Sequence, residues 1–172
     1  MSPSRGSRGR AAGPRWSQAP ERAALLALYA EVDALVTGMS CACSQAGVGG
    51  SPDAQCCHFA VTGREPYPTA VELEEVRHAV RAGNVTTAVP RPAREALAHL
   101  RPCPLLSPEG RCRIYASRPF GCRTFFCGQK LPRERVAAVG RRIADLSARF
   151  AAKSGGKVDP GPRPLTRALS NG

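Results

Sequence analysis

Eight cysteines are the residues of this chain whose type and spacing point to chemistry. Cys103, Cys112, Cys122 and Cys127 crowd one stretch, the adjacent pair Cys56-Cys57 lies upstream, and Cys41 and Cys43 flank a single alanine. Thiolates bind zinc and iron–sulfur clusters, and such sites usually pair ligands from a tight loop with ligands from elsewhere in the chain. Cys122 and Cys127 make one local pair, and Cys103 and Cys112 make another if the chain turns back between them. Cys41 and Cys43 are close enough to share a metal. Cys56 and Cys57 would point to opposite sides of an extended backbone, which suits two metals or two edges of one cluster better than chelation of one ion. All eight are candidate metal ligands, enough for two four-sulfur sites or for one cluster with spare redox-active thiols. The expected cofactor is zinc or iron, the iron alone or as an iron–sulfur cluster.

A disulfide framework is the competing use of these thiols, and it fits poorly. Eight cysteines in 172 residues fall below the density of roughly 8–10% seen in disulfide scaffolds. The first apolar stretch begins only at Ala23 and is broken by Glu31 and Asp33, so it does not read as a secretory signal. No run approaches the roughly 18 apolar residues of a membrane span. The expectation is a cytoplasmic protein with reduced thiols and no membrane contact.

The other reactive side chains carry weaker signals. His58 adjoins the cysteine pair and could ligate through an imidazole nitrogen, but with eight thiols at hand it is expected not to; His78 and His99 read as surface residues of helices. Tyr115 reads as packing rather than as a proton donor. Arg118 and Arg123 are expected to offset the negative charge of a thiolate site, with binding of an anionic substrate as the other use. No Ser/His/Asp arrangement, phosphate-cradling loop or dinucleotide fingerprint is present, and Gly47, Gly49 and Gly50 lack the strand-before-helix setting of the last. Catalysis, if any, would have to come from the metal.

Three helices are expected to position these groups. The first runs from Pro20 to about Thr37, with Pro20 and Glu21 suited to its first turn and Leu25, Leu28, Val32, Leu35 and Val36 on one face. A second begins at the capping box Thr69-Ala70-Val71-Glu72, shows Leu73, Val76 and Val80 on one face, and stops at Gly83. The last runs from Pro132 to about Ala152 and buries Val136, Val139, Ile143, Leu146 and Phe150. A shorter helix is expected from Pro92 to about Leu100, and His58 to Thr62 reads as a strand. The turn Ser107-Pro108-Glu109-Gly110 predicts a small β-hairpin that brings Cys103 near Cys112. The fold class expected is α+β and helix-rich, a small metal-stabilised single domain with cysteine-bearing loops.

Composition sets the limits of that domain. Residues 1–18 and 153–172 are rich in Ser, Gly, Pro and Arg and read as disordered tails, leaving residues 19–152 as the cysteine-cluster domain. The net charge is +12, and the N-terminal tail holds Arg5, Arg8, Arg10 and Arg15 without an acid. A basic tail can hold nucleic acid, but a solvated tail is the plainer reading, and nucleic acid is not an expected partner.

The string CPLLSPEGRCRIYASRPFGCR resembles the signature of the YkgJ-type cysteine-cluster family, whose members are described as zinc- or iron-chelating domains. In that pattern Cys56 and Cys57 match a CC pair, Cys103, Cys112 and Cys122 match three later cysteines, and Tyr115, Arg118, Pro119 and Arg123 match the residues around them. The resemblance covers roughly residues 41–127. It departs at the N-terminal cluster, where the family spacing C-x2-C-x2-C-C is replaced by Cys41-x-Cys43, twelve residues, then Cys56-Cys57. A loop insertion between ligands that still converge accounts for this, and leaves Cys41 and Cys43 less firmly placed. What the resemblance implies is a metal-binding protein in metal handling, redox chemistry or an assembly with a protein partner, with no activity of its own required. The related flagellin lysine methylases, with a cysteine cluster described as iron–sulfur, keep a second reading open, an iron–sulfur-dependent protein-modifying enzyme. A zinc-stabilised nucleic-acid binder ranks third, since no paired zinc-ribbon spacing and no aromatic-rich basic strand is present.

Overall fold

A computed structural model of the chain describes residues 15–38, 55–85, 99, 101–107, 110–125, 131–155 and 157–170. Within them, α1 spans Pro20–Leu35, α2 Phe59–Thr62, α3 Ala70–Ala82, α4 Phe120–Arg123, α5 Arg133–Lys153 and α6 Leu165–Ser170. The three long helices form where the apolar spacing predicts them. The capping box is present, with the Thr69 N–H donating to Glu72 Oε2 at 2.9 Å, and α3 ends at Gly83. The helix expected over 92–100 lies outside the described residues apart from His99, which is exposed.

Helices α1, α3 and α5 pack on one another. Leu25, Leu28, Tyr29 and Val32 of α1, Val71 of α3, and Val139, Ile143 and Leu146 of α5 enclose one apolar cluster. A second lies across α3, where Leu73 and Val76 meet Phe59, Cys103, Leu105, Ile114, Leu165 and Ala168. Helix α3 is therefore apolar on two sides, and the acids between them, Glu72 and Glu75, are enclosed at 2% and 0% exposure. That placement governs the site described below.

The β-hairpin and the α+β class are not found: the fold is helical, and no strand occurs among the described residues. The turn after Ser107 does form, with the Gly110 N–H donating to Ser107 O at 3.0 Å and Gly110 at a φ of +74° that favours glycine. Beyond it a single antiparallel bridge, Leu106 to Cys112, replaces a ladder, because Tyr115–Ser117 already coils into a 3-10 turn. The expected strand at His58 likewise reduces to one bridge, His58 to Pro102, after which Phe59–Thr62 is helical and is stopped by Gly63 at φ +64°. Short apolar runs do not distinguish strand from buried helix by periodicity. No helix among the described residues is long and apolar enough to cross a membrane.

The segments that read as tails are built into the fold wherever the structure describes them. Trp16 donates its indole N–H to Glu75 at 2.8 Å and meets the Phe150 ring edge-on, with centroids 5.7 Å apart. At the other end the Arg163 and Leu165 N–H groups donate to Pro68 O and Pro66 O, both at 3.1 Å, and Leu165 is 1% exposed. Glu65 accepts from the Thr166 N–H at 2.8 Å, closing the start of α6. Composition averages hide this, since two buried apolar residues, Leu165 and Ala168, suffice to dock a segment otherwise rich in Pro, Gly and polar residues. Leu165→Ala should therefore cost about 2–3 kcal/mol, read as a lowered denaturation midpoint; an unchanged midpoint would return this segment to the status of a tail.

Candidate metal centre

The cysteine pair sits in a 3-10 turn, Gln55–Cys57. Successive side chains of such a turn diverge by about 120° rather than the 180° of a strand, so Cys56 and Cys57 line the same cavity and do not face opposite ways. The chain then pairs briefly with the segment carrying Cys103: the Cys103 N–H donates to Cys57 O at 2.7 Å and the Phe59 N–H to Arg101 O at 3.1 Å. That backbone contact puts two thiols side by side, and the Cys57 thiol shares hydrogen bonds with those of Cys103 and Cys56. The turn after Ser107 brings Cys112 back, with the Arg113 N–H donating to Leu105 O at 2.9 Å. The spatial pairing expected of the hairpin is thus achieved by a turn and one bridge.

Cys122 arrives on α4, and buried carboxylates of α3 fix that segment. Glu72 Oε1 accepts from the Phe120 N–H at 2.7 Å and from the Tyr29 hydroxyl at 3.3 Å, while Oε2 accepts from the Thr69 N–H and hydroxyl, each at 2.9 Å. One turn on, Glu75 accepts from Ser117 Oγ at 2.9 Å, from Trp16, and from Arg22 Nε at 2.7 Å. The two acids therefore hold both sides of Arg118. Gly140 of α5 lets the segment approach, because a Cβ there would lie 3.2 Å from the Phe120 ring. None of Trp16, Arg22, Glu72 and Glu75 stands out in the sequence as part of a site; the one signal is that acids fall between two apolar stripes of the same helix.

Five of the eight candidate ligands, Cys56, Cys57, Cys103, Cys112 and Cys122, line one cavity of about 410 Å³. Cys41, Cys43 and Cys127 lie outside the described residues. None of the five is in a disulfide, and Cys103 is buried and the rest half-buried. The surroundings of three of them, Cys57, Cys112 and Cys122, raise the thiol above its ordinary value. Burial, with Cys112 and Cys57 nearby, pushes the Cys122 thiol up to about 12. The Cys57 thiol is raised by its bond to Cys103 and by burial against the opposing bond from Cys56, and burial raises Cys112 against the Ile114 N–H and the Arg118 charge. In this state no group of three or more His, Cys, Asp or Glu side chains among the described residues is gathered tightly enough to hold a metal ion. Protonated sulfurs meet one another at hydrogen-bonding distance, and only loss of those protons frees their lone pairs for a cation. The donor set nevertheless fits zinc or iron in kind: soft sulfur ligands from separate segments, partly shielded from water, with a guanidinium beside them.

The arginines divide. Arg118 lines the cavity, its guanidinium 4.1 Å from the Tyr115 ring centroid, and its buried Nε has no hydrogen-bond partner. Arg123 does not offset charge at the site as expected. It is 4% exposed, turned into the fold, and donates to Asp33 at 2.6 Å, to Arg118 O at 2.9 Å and to Ala116 O, with its guanidinium 4.1 Å over the Tyr29 ring. Tyr115 is 43% exposed at the cavity rim beneath Arg118 rather than packed in a hairpin. His58 is buried with Nδ1 unpartnered and does not line the cavity.

Residues 53–137 match the family model CxxCxxCC, described as a "putative zinc- or iron-chelating domain". The matched stretch contains Cys56, Cys57, Cys103, Cys112, Cys122 and Cys127 and begins beyond Cys41 and Cys43, where the spacing departs from the family pattern. No curated protein and no solved structure matches the chain.

Proposed function

We propose, from the premise that residues 53–137 of this chain belong to the zinc- or iron-chelating CxxCxxCC family, that the protein holds its metal through Cys57, Cys103, Cys112 and Cys122. Cys56 and the cysteines outside the described residues complete or extend that set. The observation that carries this is the meeting of five thiols from four separate segments at one cavity. When bound, zinc would supply a fixed tetrahedral cross-link, and iron or an iron–sulfur cluster would add one-electron chemistry. The chain's contribution is to bring the sulfurs together, shelter them from water and place a cation beside them. Its role is metal handling or redox within the cell, alone or in an assembly with a protein partner.

Anaerobic purification followed by metal analysis and a visible spectrum tests this reading. A stoichiometric colourless metal identifies zinc, and broad visible absorption lost on exposure to air identifies an iron–sulfur cluster. Because the Cys57, Cys112 and Cys122 thiols are held above their ordinary range, binding must release protons, and the apparent affinity should rise with pH by up to tenfold per unit for each thiol ionised. Protein free of metal after anaerobic purification, and unable to take up zinc or iron, would overturn the proposal.

A second reading, a metal-dependent protein-modifying enzyme, is favoured by the cavity. Its volume of about 410 Å³ lies within the range of about 300–1,000 Å³ typical of small-ligand pockets, and Phe59, Leu105, Ile114, Phe120, Ile143 and Leu165 line it. A metal with its sulfurs would leave part of that space open. If metal-loaded protein binds an apolar fluorescent probe and Leu105→Trp blocks it, the cavity is available to a substrate; no binding leaves the chelating role alone.

A further inference from the structure

Several arginines among the described residues are held in ion pairs. Arg22 pairs with Glu75, Arg81 with Glu74, Arg101 with Glu65, Arg123 with Asp33, Arg142 with Glu31 and Arg163 with Asp159. Arg118 has no carboxylate partner among the described residues, although its Nε is buried. An unsatisfied buried donor is costly, and more so when charged, and the structure does not let this one escape to water. Ser117 before it is tied to Glu75 at 2.9 Å, Phe120 just beyond is tied to Glu72 at 2.7 Å, and Arg118 O accepts from Arg123 Nε at 2.9 Å. Its guanidinium lies over Tyr115, and Pro119 restricts its backbone. A cation held this firmly at a cavity wall, with its donor unused, is set up for an acceptor that the protonated site lacks.

We infer that Arg118 is the built-in counter-cation of the thiolate centre, its Nε–H donating to a deprotonated sulfur on the Cys112 and Cys122 side of the cavity. This rests on the metal-chelating reading above. Position supports it, since Arg118 lines the same cavity as Cys112 and Cys122. Charge balance supports it as well. Four thiolates around a divalent ion carry a net charge of −2, and of the two arginines that line the cavity, Arg64 and Arg118, only Arg118 has a buried donor without a hydrogen-bond partner. An outer-sphere donor of this kind orients the ligand and draws electron density from its sulfur. Arg123, despite its place beside Cys122, cannot do this, because its guanidinium is committed to Asp33 and two carbonyls.

The experiment compares wild type, Arg118→Lys and Arg118→Met as full chains, loaded with zinc for affinity and with cobalt(II) for spectroscopy. Chelator competition should show Arg118→Met binding zinc about 10–100-fold more weakly, with Arg118→Lys between the two because it restores charge but not the planar donor. The sulfur-to-cobalt charge-transfer band should move to lower energy in Arg118→Met, while the ligand-field bands, which report coordination geometry, stay in place. A purely structural role would leave that band unmoved. Thermal melts of the metal-free variants, expected to be no lower than that of wild type, separate binding from folding. Wild type that binds no zinc or cobalt would defeat the chelating reading itself. Wild type and Arg118→Met with equal affinity and identical cobalt spectra would defeat this inference alone. Inorganic phosphate binding abolished by Arg118→Met, with the cobalt spectrum unchanged, would show that the guanidinium serves a ligand's anion and would overturn it too.

Discussion

Replacing Glu75 by alanine should cost the fold about 3–5 kcal/mol, the range for breaking a buried charge pair from one side. That is a large share of the roughly 5–15 kcal/mol by which a domain is stable. The carboxylate is fully buried and receives Arg22, the Trp16 indole and the Ser117 hydroxyl. Removing it leaves three donors without an acceptor and detaches both the chain before α1 and the segment carrying Arg118. Chemical denaturation monitored through Trp16 reads the effect directly, since Trp16 is the sole tryptophan. Burial alone would push the Glu75 carboxyl up, but its bonds to Arg22, Trp16 and Ser117 outweigh that and hold it below its ordinary value. The contribution is therefore fully present above the ordinary carboxyl range and lost as pH falls below that range through the lowered folded value, so the stability gap between wild type and Glu75→Gln should narrow as the pH drops. A Glu75→Ala variant as stable as wild type at neutral pH would mean that these four residues do not form the buried network.

Substitution of single cysteines should separate the ligands into two ranks. A structural zinc site holds about 10–16 kcal/mol, so loss of one of four ligands should remove roughly 3 kcal/mol, or about two orders of magnitude in affinity. We expect that loss for Cys112→Ser and Cys122→Ser. Both residues lie on segments fixed without metal, Cys112 by its bridge to Leu106 and Cys122 through the Glu72 bond to Phe120. Cys41→Ser and Cys43→Ser should cost less, because drawing them onto the same centre must also close the long Gly-rich stretch from Ser44 to Gln55, and that ordering entropy offsets part of the bond. Equal loss from all four variants, measured by chelator competition, would show that the inserted stretch leaves the site fully formed.

The parts of this fold that were legible in the sequence are those set by neighbours along the chain. The apolar spacing of α1, α3 and α5, the capping box at Thr69 and the stop at Gly83 all depend on residues within one or two turns. So does the turn at Ser107–Gly110. The hairpin beyond that turn did not form, because strand pairing needs a partner segment free to extend, and Tyr115–Ser117 coils instead. Trp16 and Leu165 lie in stretches whose averages suggest no core, yet each buries its side chain or indole N–H against residues far away in sequence.

For the candidate site the division follows the same physics. The kind of chemistry is carried by residue type: eight thiols, and a spacing that resembles a chelating family, point to soft-metal binding without reference to any fold. Which thiols share a cavity is decided only when the Gln55–Cys57 turn, the Cys57–Cys103 contact and α4 are brought together across α3. The same packing separates two arginines that look alike in the sequence, committing Arg123 to Asp33 and leaving Arg118 at the cavity wall. A side chain's chemistry is local, whereas its partners, and the burial that raises the Cys57, Cys112 and Cys122 thiols, are set by contacts between segments far apart in the chain.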